Sequence, residues 1–115
     1  MIIWSILTQQ AWERLQRRGY LRASRRHAEQ DFLLAYVWMA RQMERRLKTP
    51  RPRQDALPIW AWYQYDGAKR RKPDLRSGGH LAKGVRGVRV ECEVEDDRVL
   101  LSDFELWHFV LNYGY

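Results

Sequence analysis

Cysteine and long apolar runs are scarce in this sequence. Cys92 is the single cysteine among 115 residues, so the chain cannot close an internal disulfide, and a reducing compartment is favoured. No apolar run reaches the about 18 residues of a membrane-spanning helix. The first residues also lack the basic start and apolar core of a signal peptide. We therefore expect a cytoplasmic protein with no membrane-inserted part, and the length fits one domain over residues 1–115.

Familiar catalytic and metal-binding motifs are also missing. The three histidines and the single cysteine do not have the spacing of a zinc site, so no bound metal is expected. The sequence contains no G-x-S-x-G turn of a serine hydrolase, no Walker loop and no dinucleotide-binding fingerprint. Function must therefore be inferred from charge and aromatic content.

Positive charge is abundant and unevenly distributed. The net charge is +7, with 21 Lys and Arg against 14 Asp and Glu. Residues 1–55 carry 12 basic and 5 acidic side chains, residues 56–90 carry 8 and 2, and residues 91–115 carry 1 and 7. This distribution favours an anionic partner, such as a nucleotide or a nucleic acid, for the first three quarters of the chain. The alternative is that basic and acidic faces neutralise each other within the fold or in a dimer, which leaves a homo-oligomer open.

An aromatic stretch, PIWAWYQYDG at 58–67, is the strongest local feature. Its period-two pattern predicts a strand over residues 59–65. Trp60, Trp62 and Gln64 would share one face, where the indoles could stack on a base or a nicotinamide ring. The alternative is that a helix covers this face and the tryptophans are ordinary packing residues.

Basic residues follow the aromatic stretch directly. Arg71 and Lys72, with Asp74 close behind, end a run of cations that could hold phosphates, because aromatic and basic side chains together are typical of nucleotide and single-strand binding. His80 follows a Ser-Gly-Gly segment and could act as an acid or base near neutral pH. The alternatives are a solvated turn and a plain flexible loop.

The last third of the chain holds a second group of candidate residues. Ser102 and Glu105 fit a capping box at the start of a helix, with Asp103 between them. His108 and Asn112 are four residues apart, so on a helix they share a face and could orient a polar group of a substrate. The alternatives are a plain helix cap and a partly buried histidine with structural hydrogen bonds.

The order of elements predicts the fold class. Thr8 can cap a helix that ends at Gly19, and a second helix begins near Asp31 and stops before Pro50. Alternation over residues 88–94 predicts a half-exposed strand. The expected order is β-α-(β)-α-β-β-β-α, which indicates an α+β domain with a small mixed or antiparallel sheet and about three helices.

Two family resemblances add to this interpretation. The segments PIWAWYQYDG, KPDLR at 72–76 and LLSDFELWHFVLN at 100–112 resemble a bacterial family of short proteins of unknown function. The opening strand with Thr8, then Trp12, Glu13 and Gly19, is similar to small bacterial proteins related to ADP-ribosyltransferases. That second resemblance implies an ADP-ribosyltransferase-like fold, NAD as the cofactor, and a catalytic acidic residue. Ser5 or Thr8 stands where that class has a His or Arg.

Three hypotheses follow. The protein is a nucleotide-handling enzyme of ADP-ribosyltransferase type, a non-catalytic module that binds nucleotide or nucleic acid, or a small protein-interaction protein. For the enzyme, the candidate catalytic residues are Glu91, Glu93, Asp103, Glu105 and His108.

Overall fold

The computed structural model describes residues 1–25, 30–48, 50–64, 72–74 and 80–111. Within these residues it contains two antiparallel strands and three α-helices, which confirms the α+β class. The elements are β1 (Ile2–Thr8), α1 (Gln9–Arg18), α2 (Leu33–Arg46), β2 (Gly87–Glu93) and α3 (Phe104–Leu111).

The chain divides into two compact units. The first comprises Met1–Leu21 with Trp60–Val94 and holds β1, α1 and β2. The second comprises Arg22–Ile59 with Glu95–Tyr115 and holds α2 and α3. The single domain expected over residues 1–115 stays a prediction.

β1 is the inner strand of the first unit. It pairs with β2 in antiparallel register along one edge. On the other edge, Trp62 exchanges two backbone hydrogen bonds with Trp4, at 2.9 and 2.7 Å. Because both edges of β1 are occupied, Trp4 and Ser5 are buried, with 7% and 8% exposure. β2 alternates exposed and half-buried residues, which confirms the half-exposed strand.

The predicted strand over residues 59–65 is reduced to one bridge. Only Trp62 pairs with β1, and the flanking described residues have no strand pairing. Alternating side chains make a strand possible, but the backbone N–H and C=O groups of a strand also need hydrogen-bond partners. β1 supplies such partners only at Trp4. Tyr65 lies outside the described residues.

α1 begins and ends at the predicted residues. The Thr8 hydroxyl accepts a hydrogen bond from the Ala11 amide at 3.2 Å. Gly19 follows the helix with φ +80°, a left-handed conformation that glycine adopts without a side-chain clash, and its amide donates to the Leu15 carbonyl at 2.8 Å.

The core of the second unit lies between α2 and α3. Ala35, Met39 and Trp107 are buried there, and the Tyr36 ring stacks on Trp107 at 6.1 Å with 23° between the planes. A 3₁₀ turn at Gln30–Phe32 precedes α2, so the second helix begins within two residues of its predicted start. No helix in the described part of the chain is long and apolar enough to cross a bilayer.

The capping box predicted for α3 is wrong. Asp103, and not Ser102, caps the helix: its Oδ1 accepts from the amides of Glu105 at 2.9 Å and Leu106 at 3.0 Å. The Asp103 carbonyl also accepts from the Trp107 amide at 2.9 Å, which is the first hydrogen bond of the helix. A carboxylate that accepts two amides at a helix N-terminus is stabilised by charge as well as by hydrogen bonding.

Candidate functional site

Three side chains form a row across one face of the sheet in the first unit. Trp4 lies opposite Glu91 in the register of β1 and β2, and opposite Trp62 in the bridge on the other edge. Opposed residues in antiparallel pairs place their side chains on the same face. The Trp4 indole N–H donates to Glu91 Oε1 at 2.9 Å, which this shared face allows. We call Trp62, Trp4, Glu91 and the neighbouring Lys72 and His80 the sheet-face cluster.

Glu91 is the best-positioned acidic residue of this cluster. Its Oε1 receives the Trp4 hydrogen bond and lies 3.6 Å from Lys72 Nζ. The hydrogen bond from Trp4 is the largest effect and lowers the pKa of the Glu91 carboxyl below its usual 4.5. Desolvation opposes it, and the charges of Lys72 and Arg89 lower the pKa further. A carboxyl whose pKa is lower in the folded than in the unfolded state stabilises the folded state at pH values above the unfolded-state pKa. This stabilisation is lost as the pH falls through the folded-state pKa. At neutral pH the carboxylate is therefore ionised, with the position of one oxygen fixed.

Lys72 is held near Glu91 by the segment that follows it. The Arg89 Nη1 donates to the Pro73 carbonyl at 2.9 Å, and the Pro73 side chain is fully buried. Lys72 itself is exposed, with a side-chain exposure of 56%. Exposed ion pairs contribute about 0–1 kcal/mol, so the ammonium group can turn from Glu91 to another anion at little cost. Asp74, the next predicted residue, is half-buried in the same segment.

The other candidate residues of the aromatic stretch, and His80, differ in their exposure to solvent. The rings of Trp62 and His80 meet edge to face, with centroids 6.1 Å apart at 84°. Trp60 is 40% exposed, and its carbonyl accepts from the Ser5 hydroxyl at 2.9 Å. Gln64 is exposed as well. Trp60 is therefore partly exposed to solvent, and the alternative of a wholly buried aromatic face is wrong for this residue.

The two units differ sharply in charge. The first unit, residues 1–21 and 60–94, has 11 Lys and Arg against 5 Asp and Glu. The second, residues 22–59 and 95–115, has 10 against 9. Six of the seven net positive charges therefore belong to the unit that carries the sheet-face cluster.

Four other candidate residues lie at α3 and on β2. Asp103 caps α3, Glu105 lies in the first turn of α3, and the His108 ring is 2.8 Å, measured from Nδ1, from the Phe104 carbonyl of the preceding turn. All three belong to the second unit, where local helix structure accounts for Asp103 and His108. Glu93 is exposed on β2 opposite Ile2. Arg71 and Asn112 lie outside the described residues.

Sequence reasoning missed two residues of the site. Trp4 lies in an apolar strand, and nothing local in the sequence indicates that its N–H meets a carboxylate 87 positions away. Arg89 is an exposed residue of β2, and it binds the segment that carries Lys72. The three alternating charges on that strand were the available signal, since a row of ionisable residues on one face can pair with a neighbouring segment.

Neither a metal site nor an activated thiol is found in the described part of the chain. No group of three His, Cys, Asp or Glu side chains there could hold a metal ion. Burial raises the pKa of the Cys92 thiol, so the thiol stays protonated near neutral pH and is not an activated nucleophile.

Comparison with known proteins identifies a family. Curated proteins and solved structures give no significant match. The family described as "Domain of unknown function (DUF3841)" matches residues 2–115, nearly the whole chain, which confirms the resemblance to a family of unknown function. On this match, the chain belongs to the DUF3841 family.

Proposed function

We propose that the first unit binds a nucleotide or single-stranded nucleic acid, with a base stacked on Trp60 and phosphates held by Lys72 and other Lys and Arg side chains of this unit. An exposed indole within the basic unit is the observation behind this proposal. Stacking on a tryptophan contributes about 1–3 kcal/mol per base and tolerates any base. A surplus of cations supplies the attraction for phosphate that stacking lacks.

The tryptophans are also held in place before a ligand arrives. The Trp60 carbonyl is bound by Ser5, and the Trp62 backbone is bound by β1 on both its amide and its carbonyl. Because these positions are fixed by the sheet, little conformational entropy is lost when a ring stacks against them. Lys72 is exposed and can exchange Glu91 for a phosphate oxygen.

Trp60→Ala is expected to weaken binding of a fluorescent oligothymidylate by about 5- to 150-fold, the equivalent of one lost stacked base. Fluorescence anisotropy at about 50 mM salt measures the affinity. Lys72→Gln is expected to weaken binding of all sequences and to reduce the slope of log K against log salt by about one. Mononucleotides in the same assay as competitors distinguish a nucleotide site from a strand-binding groove.

Two variants serve as controls. Val85→Ala removes another exposed apolar side chain of the first unit and should leave the affinity unchanged. Trp60→Phe keeps a ring and should retain most of it. The proposal is wrong if the wild-type protein ignores both nucleotides and oligonucleotides at low salt, or if Trp60→Ala binds as well as Val85→Ala does.

Transfer of an ADP-ribosyl group from NAD is a second candidate function. It is supported by Glu91, an exposed and ionised carboxylate whose position is set by Trp4 and Lys72. In this reaction the bond from ribose C1′ to nicotinamide breaks and nicotinamide leaves with the electron pair. An acceptor atom then bonds to C1′ and releases a proton. A fixed carboxylate stabilises the positive charge that develops on the ribose.

Glu91→Gln is expected to reduce nicotinamide release from NAD by about 100-fold or more, because a preorganised electrostatic group commonly contributes that much. Chromatographic measurement of nicotinamide, with water or added protein as the acceptor, gives the rate. Glu13→Gln on α1 removes an exposed carboxylate from the same unit and is the matched control. A wild-type rate equal to that of buffer, or a larger loss in Glu93→Gln than in Glu91→Gln, would contradict this assignment.

The cytoplasmic location and the homo-oligomer stay predictions.

A further inference from the structure

An apolar pocket lies in the second unit, between the C-terminal half of α2 and the segment at residues 50–58. Its volume is about 180 Å³. An engineered apolar cavity of about 150 Å³ binds benzene, so the pocket can hold a single ring or a short branched chain. Its apolar lining includes Ala40, Met43, Leu47, Leu57 and Pro58.

One ion pair lies at the pocket. Arg51 Nε lies 2.7 Å from Glu44 Oε1, and Arg51 Nη1 donates to the Gln54 carbonyl at 2.9 Å. The Arg51 side chain is only 16% exposed. The charge of Glu44 is therefore neutralised locally, and it does not repel an anion that enters the pocket.

Arg98 is the third charged residue of the lining. Among the described residues it forms no hydrogen bond or ion pair through its side chain, and it is exposed. Asp96 and Asp97 precede it in the same 3₁₀ turn. An Arg guanidinium donates two parallel hydrogen bonds to a carboxylate.

We propose that this pocket binds a small organic monoanion, a carboxylate with a body of one ring or a short branched chain. The apolar walls of α2 and residues 57–58 would enclose the body, and Arg98 would hold the carboxylate at the edge. The site is separate from the function proposed above, because all its lining residues belong to the second unit.

Titration of the labelled full chain with benzoate, followed by amide chemical shifts, tests this proposal. Saturable shifts are expected at Met43, Leu47 and Leu57, with little change on β1 or β2. Arg98→Gln is expected to weaken benzoate binding about tenfold, as loss of a hydrogen-bonded charge does. Benzyl alcohol, which has the ring but no charge, should bind the wild type and Arg98→Gln equally and more weakly than benzoate binds the wild type.

Arg46→Gln is the matched control. It removes the same charge from the end of α2 but is outside the pocket lining, so benzoate affinity should stay at the wild-type value. The proposal is overturned if benzoate causes no saturable shifts in these residues, if Arg46→Gln weakens binding as much as Arg98→Gln, or if benzyl alcohol binds the wild type as tightly as benzoate.

Discussion

Replacing Trp107 with alanine is expected to lower the free energy of unfolding by about 3–5 kcal/mol. Trp107 is 8% exposed, lies in the core with Ala35 and Met39, and stacks on Tyr36. The substitution removes the largest side chain of this core and leaves a cavity that α2 and α3 can close only in part. Urea denaturation followed by far-ultraviolet circular dichroism measures the loss.

Leu106→Ala provides the control on the same helix. Leu106 precedes Trp107 but is 69% exposed, so its truncation should change the unfolding free energy by no more than about 0.5 kcal/mol. Equal effects of the two substitutions would show that Trp107 does not form a core with α2.

Trp4→Ala is also expected to lower the free energy of unfolding by about 3–5 kcal/mol, because a different set of contacts is lost. Trp4 is 7% exposed at the centre of the sheet, between Trp62 and Glu91, and its indole N–H binds the Glu91 carboxylate. Trp4→Phe keeps an aromatic ring on the sheet but loses this N–H, so a smaller loss of about 1–3 kcal/mol is expected. The difference between the two variants separates packing from hydrogen bonding, again by urea denaturation.

Ile2→Ala is the control on the same strand and the same face. Ile2 is 45% exposed, so its truncation should cost about 1 kcal/mol or less. If Trp4→Phe were as stable as the wild type, the hydrogen bond to Glu91 would contribute nothing to folding.

The two tryptophan substitutions also test the single-domain prediction. Trp4 belongs to the first unit and Trp107 to the second. If residues 1–115 unfold cooperatively, each substitution lowers the midpoint of one shared transition. If the units unfold separately, each substitution shifts only one of two transitions.

Local chemistry made several elements predictable. Thr8 and Gly19 bound α1 because a hydroxyl cap and a left-handed glycine act on neighbouring backbone groups. The alternation along β2 was equally informative, since period two places successive side chains on opposite faces.

Predictions failed where a neighbouring residue made the stronger cap or where a distant partner was needed. Ser102 was the predicted cap of α3, but Asp103 caps the helix because its carboxylate accepts two amides and favours the positive helix end. Residues 59–65 had the pattern of a strand, but pairing stopped at Trp62, which no local pattern could indicate.

The sequence alone determined that this protein is an α+β chain with capped helices, a half-exposed strand, an aromatic stretch and an excess of cations. These properties depend on neighbours within a few residues. Tertiary structure decided which of the candidate acids meets a tryptophan and a lysine. Glu91 was selected by the register of β1 against β2, and register depends on the burial of a whole sheet face and not on any single residue. The concentration of positive charge in one unit was likewise decided by folding, since that unit is assembled from two segments separated by 38 residues of the chain.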